Sequence, residues 1–280
     1  MTALTLPYPF DPLYMQRALL ACVAVGVFAP LIGTYLVQKR LSLIGDGIGH
    51  VAFAGVGAGL LIGVAPIWTA LVFAVVGALG VEWLRGRRRA SGDVALAILF
   101  YSGIALGVVL LSLGDGLNAG VLTYLFGQPL TVRRDEVITI LLIGGAIAAT
   151  MVLLRRPLFS VVTDEDWSRV AGLPVDRLNT LLAVITAAAV VGAMRIVGIL
   201  LVAAMMVLPV ATAQLVARSF RGTLSVAVGV GVGSSIAGLA LSAVVGLAPG
   251  GTIVLLAAGA FAVTAVVRRA VARAPVRGNV

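Results

Sequence analysis

Apolar residues fall in long runs over residues 14–37, 46–65, 67–84, 93–113, 135–154, 178–194, 197–215, 223–246 and 250–267. Each is close to the roughly 20 residues that carry a helix across a hydrocarbon core about 30 Å thick. A helix satisfies its own backbone hydrogen bonds, which lipid cannot do for it. The breaks between runs have physical causes. Lys39 and Arg40 end the first, and Pro66 divides the second from the third. Arg85-Gly86-Arg87-Arg88-Arg89 stops the third, and Gly114-Asp115-Gly116 follows the fourth. Arg155-Arg156-Pro157 ends the fifth, and Leu247-Ala248-Pro249-Gly250-Gly251 makes a tight turn between the last two. Residues 178–217 hold one strong charge, Arg195, over twice the length of a single span, so they should cross twice with Arg195 and Gly198 near the turn. The segment 118–130 is semi-apolar, short and interrupted by Pro129, which suits an interfacial or re-entrant piece. The pattern predicts an all-α polytopic transmembrane bundle, 1–280 in a single domain, with nine helices, or eight if one run is re-entrant. No soluble domain is expected, and 155–177 is the one loop with room for chemistry or docking.

Composition agrees. Of 280 residues 61% are hydrophobic and 11% charged, against about 25% charged in a soluble domain. The net charge of +9 is nearly all arginine, with Lys39 the one lysine. On a soluble protein that would raise nucleic acid as a partner; here it reads as basic cytoplasmic loops. With nine spans and the N-terminus outside, every one of the 20 basic residues except Arg17, Arg133, Arg134 and Arg195 lies on the inner side. The C-terminus is then cytoplasmic, in an inner or plasma membrane; an eight-helix count would move the N-terminus inside. Pro7, Pro9, Asp11 and the single basic Arg17 before the first run favour a retained helix over a cleaved signal. Cys22 has no partner for an internal disulfide and suits a small core residue. Gly55, Gly59 and Gly63, and again Gly229 and Gly233, repeat at four-residue spacing, which lets helices pack closely; a homodimer seam is the alternative use.

Asp46 and His50 carry the strongest chemical signal. His50 is the sole histidine, and Asp46 stands four residues before it, on the same helix face. An ionisable group inside a membrane costs roughly 2.5–3.5 kcal/mol on insertion scales, so the pair needs a partner or a water-filled path. Carboxylate oxygen with imidazole nitrogen is half of a divalent-metal site suited to Zn²⁺ or Mn²⁺. Two copies across a dimer axis would supply four ligands. A local hydrogen bond between the two, entered through a flexible Gly45, Gly47 and Gly49, is the other reading. No Gly-x-x-x-x-Gly-Lys-[Ser/Thr] loop surrounds Lys39, so no ATP site is expected, and no His-Glu-x-x-His helix exists. Neither an enzyme nor a permanently bound cofactor is expected.

The run from Gly33-Thr34-Tyr35 through Lys39-Arg40-Leu41-Ser42 to Gly45-Asp46-Gly47-Ile48-Gly49-His50 resembles the opening motif of the zinc/manganese ABC permease family. Tyr124-Leu125-Phe126-Gly127 followed by Asp135, the run Val197 to Ala213 with its Pro209, and Ala248-Pro249-Gly250-Gly251-Thr252 resemble three further family segments in the expected order. The resemblance covers nearly the whole chain. It implies the type II-like fold of an ABC importer and a homodimer docked on two cytoplasmic ABC ATPase subunits. An extracellular or periplasmic metal-binding protein would deliver the ion, and Asp46 and His50 would line its path. Gly47, Gly49 and Pro209-Val210 depart from the pattern without removing a ligand.

Two cytoplasmic elements are candidates for ATPase docking. Residues 163–172 suit a short helix with Thr163 and Asp166 as a capping box, Gly172 at its end, and Trp167, Val170 and Ala171 on one apolar face. Residues 213–222, with Gln214, Ala217, Arg218, Phe220 and Arg221, resemble the coupling helix of larger cofactor-importing permeases and are preferred. An interfacial anchor is the alternative for both. Arg195 would either snorkel to the outer interface or place a positive charge at the outer mouth, and Glu82 would pair with Arg85 or Arg87. An ion-gradient-driven secondary transporter and a vitamin B12 or siderophore permease remain the competing functions.

Overall fold

The computed structural model describes residues 9–86, 92–114 and 119–273. The expectations for Pro7, Arg87 to Arg89, Asp115-Gly116 and Arg277 lie outside them. The described residues form helices without a strand: α1 (Leu13–Gln38), α2 (Ile44–Ile62), α3 (Pro66–Gly86), α4 (Gly92–Ser112), α5 (Ala119–Phe126), α6 (Arg134–Leu153), α7 (Arg155–Thr163), α8 (Glu165–Val170), α9 (Val175–Met194), α10 (Ile199–Val216), α11 (Phe220–Val245) and α12 (Pro249–Arg273). Nine of these are long and apolar enough to cross a membrane, and they coincide with the nine predicted runs. The segment before α6 forms the short α5 and a 3₁₀ turn at Pro129–Thr131.

The bundle has a centre and a rim. The most apolar stretches of α1, α2 and α9 are 67–72% buried, whereas those of α3, α4, α6 and α12 are 28% buried. Lipid is as apolar as these side chains, so the rim helices have no need to hide their outer faces. What brings membrane helices together is close fit at small residues. At Gly33 a Cβ would lie 1.9 Å from the Met206 carbonyl oxygen, so α1 and α10 touch backbone to backbone. Gly55 and Gly59 seat α2 on α3 in the same way, with Cβ positions 2.6 Å from Ala70 Cα and 2.3 Å from Thr69 Oγ1. That pair therefore serves the packing within one chain, while Gly229 and Gly233 meet nothing within 4 Å.

Two local expectations need correction. Arg155-Arg156-Pro157 does end the fifth span, but 155–177 is not a loop: the chain turns at Leu154 and continues as α7 and α8. Pro157 falls in the first turn of α7, where its missing N–H is no loss, and Leu158, Val161 and Val162 turn inward. Secondly, Thr163 does not cap α8. Its hydroxyl donates back to the Phe159 carbonyl oxygen within α7, at 2.8 Å. The cap is Asp164, whose Oδ1 accepts from the Trp167 backbone N–H at 2.9 Å.

Candidate functional site

Asp46 lies in the first turn of α2, where the helix dipole favours a carboxylate by about 0.3–1 kcal/mol. His50 follows one turn later. The His50 Nε2 and Asp46 Oδ1 atoms are 3.7 Å apart, beyond hydrogen-bond reach. That distance removes the local hydrogen bond as an account of the pair. Two ligands at about 2.0–2.2 Å from a tetrahedral ion stand about 3.4 Å apart, so the separation is close to one edge of a coordination shell. The His50 side chain is 11% exposed and that of Asp46 31%. Among the described residues no third His, Cys, Asp or Glu joins them. One chain thus brings together two groups of a kind that can ligate an ion, and no more.

The surroundings hold the pair in place. Phe100 of α4 meets the His50 ring edge-on, with centroids 4.2 Å apart. Gly103 brings α4 against the His50 backbone: a Cβ there would sit 2.8 Å from the His50 carbonyl carbon. Gly45, Gly47 and Gly49 are helical and buried, and they do not form a flexible entry. They admit Met206 Sδ, Leu99 and Ile199 to the flanks of α2. Sequence reading missed Phe100 and Gly103, which stand in an apolar run with no local signal.

At the outer end predicted for the bundle, three glycines far apart in the chain converge. Gly127 (φ +72°) and Gly198 (φ +95°) lie back to back, with Cβ positions 2.4 Å from Val197 C and Leu125 O. Gly250 closes on the same turn, 2.5 Å from the Val197 carbonyl oxygen. The positive φ values favour glycine at the first two. Arg195 caps α9 here, its guanidinium 3.0 Å from Glu136 and stacked over Tyr124 at 5.2 Å. Its charge is therefore offset by a carboxylate, and it neither reaches freely outward nor stands as an open positive charge.

At the opposite end Lys39 bridges three elements. Its ammonium lies 2.7 Å from Glu165 of α8 and donates to Asn179 Oδ1 of α9. Asn179 donates to Glu165 at 3.3 Å. Burial pushes the Glu165 carboxyl up, but the hydrogen bond and charge of Lys39, the charge of Arg85 and the Asn179 hydrogen bond outweigh it and hold the group below the usual glutamate range. Glu82 pairs with Arg85 at 3.1 Å, one of its two expected partners. The one signal for this junction was that Lys39 is the single lysine among many arginines.

The two candidate docking elements differ in form. α8 is held from below by the buried Ser168, which meets Ser160 at 2.8 Å, and turns Trp167 and Val170 outward, 68% and 82% exposed. Gly172 ends the segment at φ +82°. Residues 213–222 form no helix of their own: α10 ends, Ala217 is extended, and α11 begins at Phe220. Gln214, Arg218 and Arg221 are exposed, but Phe220 packs inward between Tyr35 and Phe159, with centroids 5.1 and 4.8 Å away.

The ABC 3 transport family matches residues 12–268. The manganese transport system membrane protein MntC of Halalkalibacterium halodurans is 34% identical over 261 residues, 92% of this chain and 89% of its own. The manganese import system permease protein ScaB of Streptococcus parasanguinis is 29% identical over 251 residues, 90% of this chain and 89% of its own. Among solved structures, PsaBC from Streptococcus pneumoniae in complex with Fab aligns with a TM-score of 0.82 at 29% identity, covering 91% of each chain. This chain, a multi-pass membrane protein, belongs to the ABC 3 transport family.

Proposed function

We propose that this chain is the membrane permease subunit of an ATP-driven importer for a divalent transition-metal ion, manganese or zinc. The observation that carries the reading is the Asp46–His50 pair: two metal-ligating groups 3.7 Å apart and not hydrogen-bonded to each other, on a central helix of an apolar bundle. The names of relatives matched over most of the chain, both manganese transport proteins, favour manganese as cargo. Two copies of the chain about a twofold axis bring two such pairs together, enough to replace four waters of a hydrated ion. An extracellular or periplasmic metal-binding protein supplies the ion on the side of Arg195.

A separate cytoplasmic ABC ATPase drives the cycle. We assign its main docking contact to α8, because its outward Trp167 and Val170 lack neighbours while Lys39 and Asn179 tie its inner side to α1 and α9. Gln214, Ala217 and Arg218 form a second contact beside it, and Phe220 supports it from within, while Arg221 turns to the cavity on the other flank. Gly172 ends the α8 contact by turning the chain back toward α9.

Metal accumulation in cells with and without the chain, over a panel of divalent ions, tests this reading. Manganese or zinc should accumulate only with the intact chain and its ATPase. Asp46→Ala and His50→Ala should each lower uptake at least tenfold at unchanged membrane levels. Wild-type uptake in both variants would remove the ligand role. Uptake that persists without the ATPase would favour a gradient-driven carrier.

A further inference from the structure

A cavity of about 520 Å³ opens at the Lys39 end of the bundle, between α1, the α6–α7 bend and the start of α11. It lies away from α2 and plays no part in the proposed metal path. Its two kinds of wall call for one kind of occupant. Leu31, Met151 and Leu224 form an apolar floor, and Arg155, Arg156 and Arg221 ring the mouth. All three arginines are exposed, and among the described residues none is paired with a carboxylate. Among the described residues no acid lines the cavity. α11 starts here without an acid in its first turn, which adds the positive end of a helix to the same face. Three guanidinium groups gathered without a counter-charge repel one another, and an anion relieves that.

A small inorganic anion would answer the arginines but leave the apolar floor wet. A protein surface is disfavoured by the flank beside the cavity, where Val152 and Leu153 of α6 are 62% and 78% exposed and suit acyl chains. The volume falls in the range of about 300–1,000 Å³ typical of small-molecule sites. Basic pockets between membrane helices at this level take anionic lipid headgroups. We propose that this cavity binds one anionic diacyl phospholipid, its phosphoryl group held by Arg155, Arg156 and Arg221 and an acyl chain lying over Leu31, Met151 and Leu224. The proposal needs the bundle to sit in a membrane and does not depend on the transported ion.

The test is thermal melting of the delipidated full chain in a non-ionic detergent. The probes are palmitoyl-oleoyl phosphatidylglycerol, the phosphatidylcholine with the same acyl chains, and inorganic phosphate. Phosphatidylglycerol should stabilise the chain at a half-saturating concentration at least tenfold below that of phosphatidylcholine, with no shift from phosphate. The variant R155Q/R156Q/R221Q should lose that preference, and R133Q/R134Q/R177Q, with the same loss of charge elsewhere, should keep it within twofold. Should the first variant fail to fold, Ser225→Trp, which fills the mouth and leaves the arginines, should abolish the preference instead. Equal stabilisation by the two lipids, an equal shift from phosphate, or equal loss in the control variant would each overturn the site. A protein occupant would show itself as no preference for phosphatidylglycerol in the isolated chain.

Discussion

Gly33 shows how tightly single residues constrain this molecule. A methyl group there would stand 1.9 Å from the Met206 carbonyl oxygen, and neither backbone can yield without moving a whole helix. Gly33→Ala should therefore destabilise the chain by about 1–3 kcal/mol, the usual cost of overpacking. Melting of the detergent-solubilised chain checks this, with Gly145→Ala, where nothing lies within 4 Å, as the neutral comparison. Asp46 and His50 were legible in the sequence because one histidine in a chain this apolar stands out. Phe100, which meets the His50 ring edge-on, was not, since an apolar run gives no hint of which of its members faces a neighbour. The cap of α8 was legible only to within one position. Thr163 and Asp164 can both cap, and the choice falls to the longer α7, which keeps the Thr163 hydroxyl for itself.

Helices and their junctions carry the next layer. The spans were readable because about 20 apolar residues between charges, prolines and glycines admit little else in lipid. α7 was hidden, as Arg155-Arg156-Pro157 marks the end of a span and gives no sign that a new helix starts on the same residues. The Lys39–Glu165–Asn179 junction was hidden for another reason: its members lie far apart in sequence and no pattern couples them. Lys39 is nearly buried, so its loss leaves Asn179 without its donor. Lys39→Met should cost about 1–3 kcal/mol of local stability, seen as faster amide exchange across α8 with the spans unchanged. The junction also sets a pH dependence. Because Glu165 is held below the usual glutamate value of about 4.3, its contribution is complete above that value and disappears as pH falls through the lowered one. Fluorescence of Trp167, in a variant with Trp68 and Trp83 replaced by Phe, should stay constant from neutral pH to about 4.3 and change only below it. A change centred near pH 6 would contradict the pairing.

Taken whole, the molecule has two unlike ends. One gathers Lys39, Arg85, Arg155, Arg156 and Arg221 with α7 and α8, and the other joins Gly127, Gly198 and Gly250 around Arg195 and Glu136. Basic residues mark the cytoplasmic side, so an impermeant maleimide should label Leu247→Cys in intact cells and Val170→Cys only after lysis. Cys22 is fully buried and should stay silent. The meeting of the three glycines explains why segments that resemble one family's motifs are spread along the chain: each supplies one surface of a single turn. On the proposed function, one chain supplies only the Asp46–His50 pair among the described residues, and a second copy would supply two further ligands. Since His50 is the sole histidine, any imidazole nitrogen on a bound ion has one source within this chain. Pulsed electron paramagnetic resonance of Mn²⁺ bound to the chain, purified without a histidine tag, should show ¹⁴N coupling that vanishes in His50→Ala. Bound Mn²⁺ without that coupling, or the same coupling in the variant, would contradict a path through Asp46 and His50.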